Sequence, residues 1–181
     1  MTSERAKLLA ELLKEVREEK GFWPTEETFQ LSTEVAAQFA LELVLFGEKG
    51  GTVFLSQYEK PWKGEKGLWH LPGGWAKPLL DKNFEVMGSR IFSREIGVPI
   101  KLRGILADPY WWAHGEHDNP GSRPLSLYAV VEPMKPIVET GTCRFFPGNN
   151  PPRPFIGGSH QNFFDKFEVY REMAIKLGLL D

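Results

Sequence analysis

Strand-like and helix-like segments are mixed along this chain, with no internal repeat and no linker between them, which predicts one α/β sandwich plus an N-terminal helix. Three observations carry that reading. A period-2 pattern runs from Glu34 to Phe46, a helical pattern from Phe84 to Ile96 stops at Gly97, and an aromatic helix closes the chain after a Pro-rich stretch. A length of 181 residues suits a single domain with a real core. Residues 1–30 read as a helical extension and residues 31–181 as the domain itself.

The extension is expected to be helical from Ser3 to Lys20. Leu8, Leu9, Leu12, Leu13 and Val16 recur at helical spacing, Ser3 can cap the start and Gly21 can end it. Its apolar face would pack on the domain or on a second copy, so a homodimer is one assembly it allows. Val35, Ala37, Phe39, Leu41, Leu43 and Leu45 then alternate as in a strand, with a short helix at Glu34–Phe39 as the other option. The turn Gly47-Glu48-Lys49-Gly50-Gly51 leads to Thr52–Ser56, read as the partner strand of a hairpin. Lys101–Leu106 and Leu125–Val131 read as further strands, with the polar, aromatic loop Asp108–Gly121 between them. In the last helix Phe163, Phe164, Phe167, Tyr170, Met173, Ala174 and Leu177 share one face, and Gly178 ends it.

Composition excludes several classes. A net charge of -2 lacks the basic footprint of a nucleic-acid binder, so no nucleic acid is expected as partner. No apolar run approaches the roughly 20 residues that span a bilayer, so no membrane is expected either. The first residues are polar and charged without a signal-peptide pattern, and Cys143 is the single cysteine, which together predict a reduced, cytoplasmic setting. Aromatics make up 13%, and most of the 14 Pro and 18 Gly lie after residue 60, the mark of shaped loops that carry binding residues.

The segment most suited to chemistry is Leu71-Pro72-Gly73-Gly74, followed by the helix that contains Arg90-Ile91-Phe92-Ser93-Arg94-Glu95-Ile96-Gly97-Val98. A Gly-Gly turn lets backbone approach a ligand closely, and a helix that follows it can present carboxylates on one face. This segment resembles the Nudix box, in which such carboxylates gather Mg²⁺ against a diphosphate, and the resemblance implies that family's α/β/α sandwich with a mixed sheet. Arg90, Glu95, Gly97 and Val98 fit the family pattern. Ile91 and Arg94 stand where two metal-binding Glu residues belong, and the Gly74–Arg90 spacing is two residues longer than the family's. The early Glu has no direct counterpart: counting back from Arg90 reaches Lys82, with Asp81 and Glu85 as nearby substitutes.

The thinned box is similar to that of the GDP-mannose mannosyl hydrolases, which cleave at the sugar carbon. That resemblance implies Mg²⁺, or Mn²⁺ in its place, held by Glu95 and by the carbonyl of Gly73 or Gly74. It also implies a histidine base at His160, in Gly158-Ser159-His160-Gln161-Asn162-Phe163. Trp75 replaces an Arg that meets the diphosphate in that subgroup, and Ser159 replaces a Gln ligand. Arg90, Trp75, Tyr110, Trp112 and His117 form the expected substrate-facing set. Simpler readings stand beside these. Glu95 can pair with Arg90 or Arg94, and Arg90 can be an ion-pair anchor. At least one of Tyr110, Trp111 and Trp112 can face the core. His114, Glu116, His117 and Asp118 can form a metal site or a hydrogen-bonded loop. The expected function is therefore a Mg²⁺-dependent hydrolase of a nucleoside diphosphate derivative such as a nucleotide sugar. The alternatives are a catalytically silent domain that binds a nucleotide-like ligand or a protein partner, and a structural subunit.

Overall fold

The computed structural model describes residues 39–58, 62, 64–77, 80–106, 108–112 and 125–180, together with the single position Glu11. The Ser3–Lys20 helix, the 1–30 boundary and the loop that carries His114 and His117 lie outside the described residues. Eight strands form two sheets: β1 (Phe39–Val44), β2 (Thr52–Gln57), β3 (Trp69–His70), β4 (Gly73–Trp75), β5 (Ile100–Ile105), β6 (Tyr110–Trp111), β7 (Leu125–Pro133) and β8 (Cys143–Pro147). The first sheet runs β4-β1-β7-β5, with β6 also on β7, and the second runs β3-β2-β8. The first sheet is mixed, since β1 is parallel to β7 and antiparallel to β4.

Helix α1 (Phe84–Ile96) packs on one face of the larger sheet, and α2 (Ser159–Asp165) with α3 (Phe167–Lys176) packs on the other. The expected α/β/α sandwich is what forms. Alternation along β1 decides which side chain goes where. Leu41, Leu43 and Leu45 meet Met87, Ile91 and Phe92 of α1, while Val44 and Phe46 face Phe163, Phe167 and Tyr170. Glu42 therefore points toward the α2 side, where Ser159 meets it.

The ends of α1 follow from sequence. Asn83 Oδ1 accepts the Val86 N–H at 2.9 Å, a cap that contributes about 1 kcal/mol. Gly97 adopts φ 76, the left-handed C-cap that glycine takes without a Cβ penalty. Ile91, at the position of a family carboxylate, is fully buried against the sheet.

Three expectations need correction. Thr52–Gln57 does not extend a hairpin with β1: they meet only around Phe46 and Val53, then diverge into different sheets. Both edges of β1 are already taken, by β4 and β7, so β2 finds its partners in β3 and β8. The closing helix is two helices, broken at Lys166 (φ -112, ψ 20), and Leu177 is 54% exposed rather than on the buried face. The break still lets Phe163 and Tyr170 stack at 5.3 Å. Strand β8 carries no period-2 signal that anticipates it.

Candidate active site

Glu42 sits in the register position opposite Gly73 and is 4% exposed. Its Oε1 accepts the hydroxyls of Ser126 at 3.1 Å and Ser159 at 3.0 Å, one from β7 and one from the start of α2. The Trp112 indole N–H in turn donates to Ser126 Oγ at 2.9 Å. Burial pushes the Glu42 carboxyl up to about pKa 7, although the two serines favour its ionised form. This arrangement holds a titratable acid among buried polar groups, Ser126, Ser159 and His160.

Gly73 neighbours both Glu42 and a second carboxylate, Glu95. A Cβ on Gly73 would lie 2.2 Å from Glu42 Oε2, so any side chain there would force Glu42 to shift. The Gly73 N–H donates to Glu95. Glu95, in the last turn of α1, thus faces the Gly-Gly turn. Its Oε1 pairs with Arg94 Nη2 at 2.7 Å, and the same nitrogen donates to the Gly73 carbonyl at 3.3 Å. Ser56 Oγ lies 3.5 Å from Oε2. Burial raises the Glu95 carboxyl to about pKa 7; Arg94 opposes the rise and the nearby Glu42 adds to it.

Two histidines share the backbone of Leu71. His70 Nδ1 donates to the Leu71 carbonyl at 2.7 Å, which leaves Nε2 to accept from Ser56 Oγ at 3.1 Å. His160 Nδ1 accepts the Leu71 N–H at 3.3 Å, so its neutral ring carries the proton on Nε2. Its Nδ1 is also 3.8 Å from Glu42 Oε2. Burial drives both imidazoles down to about pKa 3, and the charge of His160 lowers His70 further. Both rings are neutral at physiological pH.

Arg90 works as an anchor. It grips Asp81 through Nε at 2.7 Å and Nη2 at 2.6 Å, and donates to the Trp75 carbonyl at 2.9 Å. The Lys77 N–H also donates to Asp81 at 2.6 Å. Burial disfavours the Asp81 anion, but Arg90 and the Lys77 amide hold its pKa below the ordinary carboxylate range. This clamp fixes the segment between the Gly-Gly turn and α1.

Two cavities meet at Tyr58, His70 and Arg94. One, of about 210 Å³, has Glu42, Gly73, His160, Trp62, Trp75 and Trp112 in its wall. The other, of about 510 Å³, is lined by Ser56, Gln57, Glu95 and Thr142 as well as the shared residues. Of the sequence-selected residues, Gly73, Gly74, Glu95, His160, Trp75, Arg90 and Trp112 come together around these cavities. Tyr110 instead packs edge-on against Trp112 at 5.8 Å, with its ring toward the core. His117 lies outside the described residues.

Sequence reasoning missed Glu42, His70 and Ser56. Glu42 left a signal, a lone acid inside the apolar run Phe39-Ala40-Leu41-Glu42-Leu43-Val44. Among the described residues no group of three or more His, Cys, Asp and Glu side chains is arranged to hold a metal. The donors beside the Gly-Gly turn are nonetheless oxygens, the Glu95 carboxylate and the Gly73 carbonyl, both within reach of Arg94 Nη2. Mg²⁺ needs only one or two protein carboxylates, with water and phosphate completing its octahedron.

No family model matches the chain, and no curated protein sequence matches it. Solved structures do. A UDP-X diphosphatase, 13% identical, aligns over 97% of this chain and 86% of its own with a TM-score of 0.55. A NUDIX hydrolase from Nitrosomonas europaea, 14% identical, aligns over 77% and 73% with a TM-score of 0.52. A MutT NUDIX hydrolase from Burkholderia pseudomallei, 16% identical, aligns over 72% and 97% with a TM-score of 0.52. The chain has the Nudix fold. No helix among the described residues is long and apolar enough to cross a membrane.

Proposed function

We propose that the cleft hydrolyses a nucleoside diphosphate derivative, with nucleotide sugars as the leading class, using Mg²⁺ or Mn²⁺ held by Glu95 and the Gly73 carbonyl. The observation that carries this reading is the placement of two carboxylates at the Gly73 backbone: Glu42 packs against it, and Arg94 Nη2 links Glu95 to its carbonyl. A bound divalent ion would supply charge neutralisation at the diphosphate. The remaining work falls to the chain's own groups.

Glu42 takes the role of base toward the attacking water. It lines the smaller cavity, and Ser126 and Ser159 hold one of its oxygens while the other faces Gly73. The base role expected of His160 is less suited to its geometry. Its Nδ1 is filled by the Leu71 amide and its pKa is pushed to about 3, so it serves as an Nε2–H donor that orients a substrate oxygen. Trp62, Trp75 and Trp112 give the same cavity an aromatic wall suited to a flat or sugar ring. Arg90 holds Trp75 in place through its carbonyl.

One observation favours a second reading, a catalytically silent binding domain: Arg94 already spans Glu95 and the Gly73 carbonyl and can meet an anion directly. A panel of nucleotide sugars and other nucleoside diphosphate compounds, followed by ³¹P NMR in Mg²⁺ and in excess chelator, separates the two. Turnover that needs Mg²⁺ and falls at least about 100-fold in Glu95→Gln supports the hydrolase. Ligand binding that persists in chelator, without product, supports the silent domain.

A further inference from the structure

Arg94 stands at the position where the family pattern has a carboxylate, and it brings a positive charge to the very groups that would bind the cation. A single nitrogen, Nη2, reaches Glu95 Oε1 at 2.7 Å and the Gly73 carbonyl at 3.3 Å. A divalent ion bound to the same two oxygens would lie about 2.1 Å from each. It could not share that space with a guanidinium nitrogen in hydrogen-bond contact with both, and like charges would repel. Resting on the metal reading above, we propose that Arg94 is the resident counter-cation of this position, and that the guanidinium and a divalent ion occupy it in alternation.

The surroundings suit an exchange. The Arg94 side chain is 56% exposed, so its guanidinium is hydrated on leaving, and an arriving divalent ion would replace its charge at Glu95. Glu95 is 15% exposed, and Ser56, His70 and the Gly73 N–H flank it, so the carboxylate stays in place when its partner leaves. Arg94 also borders both cavities. A guanidinium that swings off Glu95 therefore remains at their junction, where its fork matches the oxygens of a diphosphate. One residue would then guard the ligand set in the absence of metal and meet the phosphate in its presence. Ile91 contributes nothing to this exchange, because it is buried in the core beneath Gly74.

Binding of Mn²⁺ alone, read from the loss of the free-ion EPR signal, tests this without any turnover. Wild type, Arg94→Gln and Glu95→Gln are compared at one pH and ionic strength. Removal of the competing charge is expected to tighten Mn²⁺ binding about fivefold in Arg94→Gln, the equivalent of a partly exposed ion pair. Glu95→Gln is expected to weaken binding at least tenfold. A purely structural role for Arg94 would give unchanged or weaker binding in Arg94→Gln, and that result overturns the exchange while leaving the metal site standing. Failure of both wild type and Arg94→Gln to bind Mn²⁺ refutes the metal reading and the exchange with it.

Discussion

Glu42→Gln should make the protein more stable and less active, with the stability gain appearing only at higher pH. Glu42 has its folded-state pKa raised from 4.5 to about 7, chiefly by burial. A raised folded-state value means that the folded chain holds this proton more tightly than the unfolded chain. The associated stability is complete below about pH 4.5 and is lost as pH climbs through 7. At pH 8 the buried anion costs the native state roughly 3 kcal/mol, from the 1.4 kcal/mol per unit that links pKa to free energy. An amide of the same shape carries no such cost, and the Ser126 and Ser159 hydroxyls can reorient to serve it. Urea denaturation at pH 5 and pH 8 reads the difference. The stability of Glu42→Gln relative to wild type should rise by about 2–3 kcal/mol between the two pH values, while turnover falls. A difference that does not change with pH would refute the claim that a buried, near-neutral carboxylate sits at this site.

Three further outcomes follow from the same geometry. Gly73→Ala places a methyl group 2.2 Å from Glu42 Oε2 and 3.2 Å from the Leu41 carbonyl. It should cost about 1–3 kcal/mol in thermal unfolding and weaken Mn²⁺ binding; full stability would show that the turn relaxes freely. His160→Asn keeps an acceptor near the Leu71 amide and should retain more turnover than His160→Ala, which strands that N–H. Equal loss of kcat in both variants would return the base role to His160. Asp81→Asn removes the bidentate grip on Arg90 and should destabilise by roughly 1.5–3 kcal/mol, measured by urea denaturation. An unchanged midpoint would show that the clamp contributes nothing to folding.

The elements that proved legible are those whose signals are local. The α1 helix announces itself through its apolar period and the Gly97 stop, both set by nearest neighbours in sequence, whereas the Asn83 cap shows only in the structure. The strands β5 and β7 match their expected spans within two residues, and β1 (Phe39–Val44) lies inside the expected Glu34–Phe46 run. Pairing was not legible, because it depends on competition. Nothing local to Thr52–Gln57 reveals that β4 and β7 will already have claimed both edges of β1. The site divides along the same line. Gly73 and Glu95 belong to a contiguous motif and could be found by spacing. Glu42 and His70 reach the motif only through sheet register and a second sheet. The double use of Leu71, as acceptor for His70 and donor to His160, depends on residues 90 positions apart in the chain folding side by side. Arg94 read as a lost carboxylate in sequence; its contact with the Gly73 carbonyl makes it a cation at a cation's position.

The most direct measurement is a crystal structure of the protein soaked with Mn²⁺ and a non-hydrolysable nucleoside diphosphate analogue, with anomalous data collected for manganese. The account predicts an anomalous peak about 2.1 Å from a Glu95 oxygen and from the Gly73 carbonyl, with Arg94 turned off Glu95 and onto the phosphates. An analogue bound with its phosphate directly on Arg94, Glu95 still paired and no anomalous peak at Gly73, would contradict it.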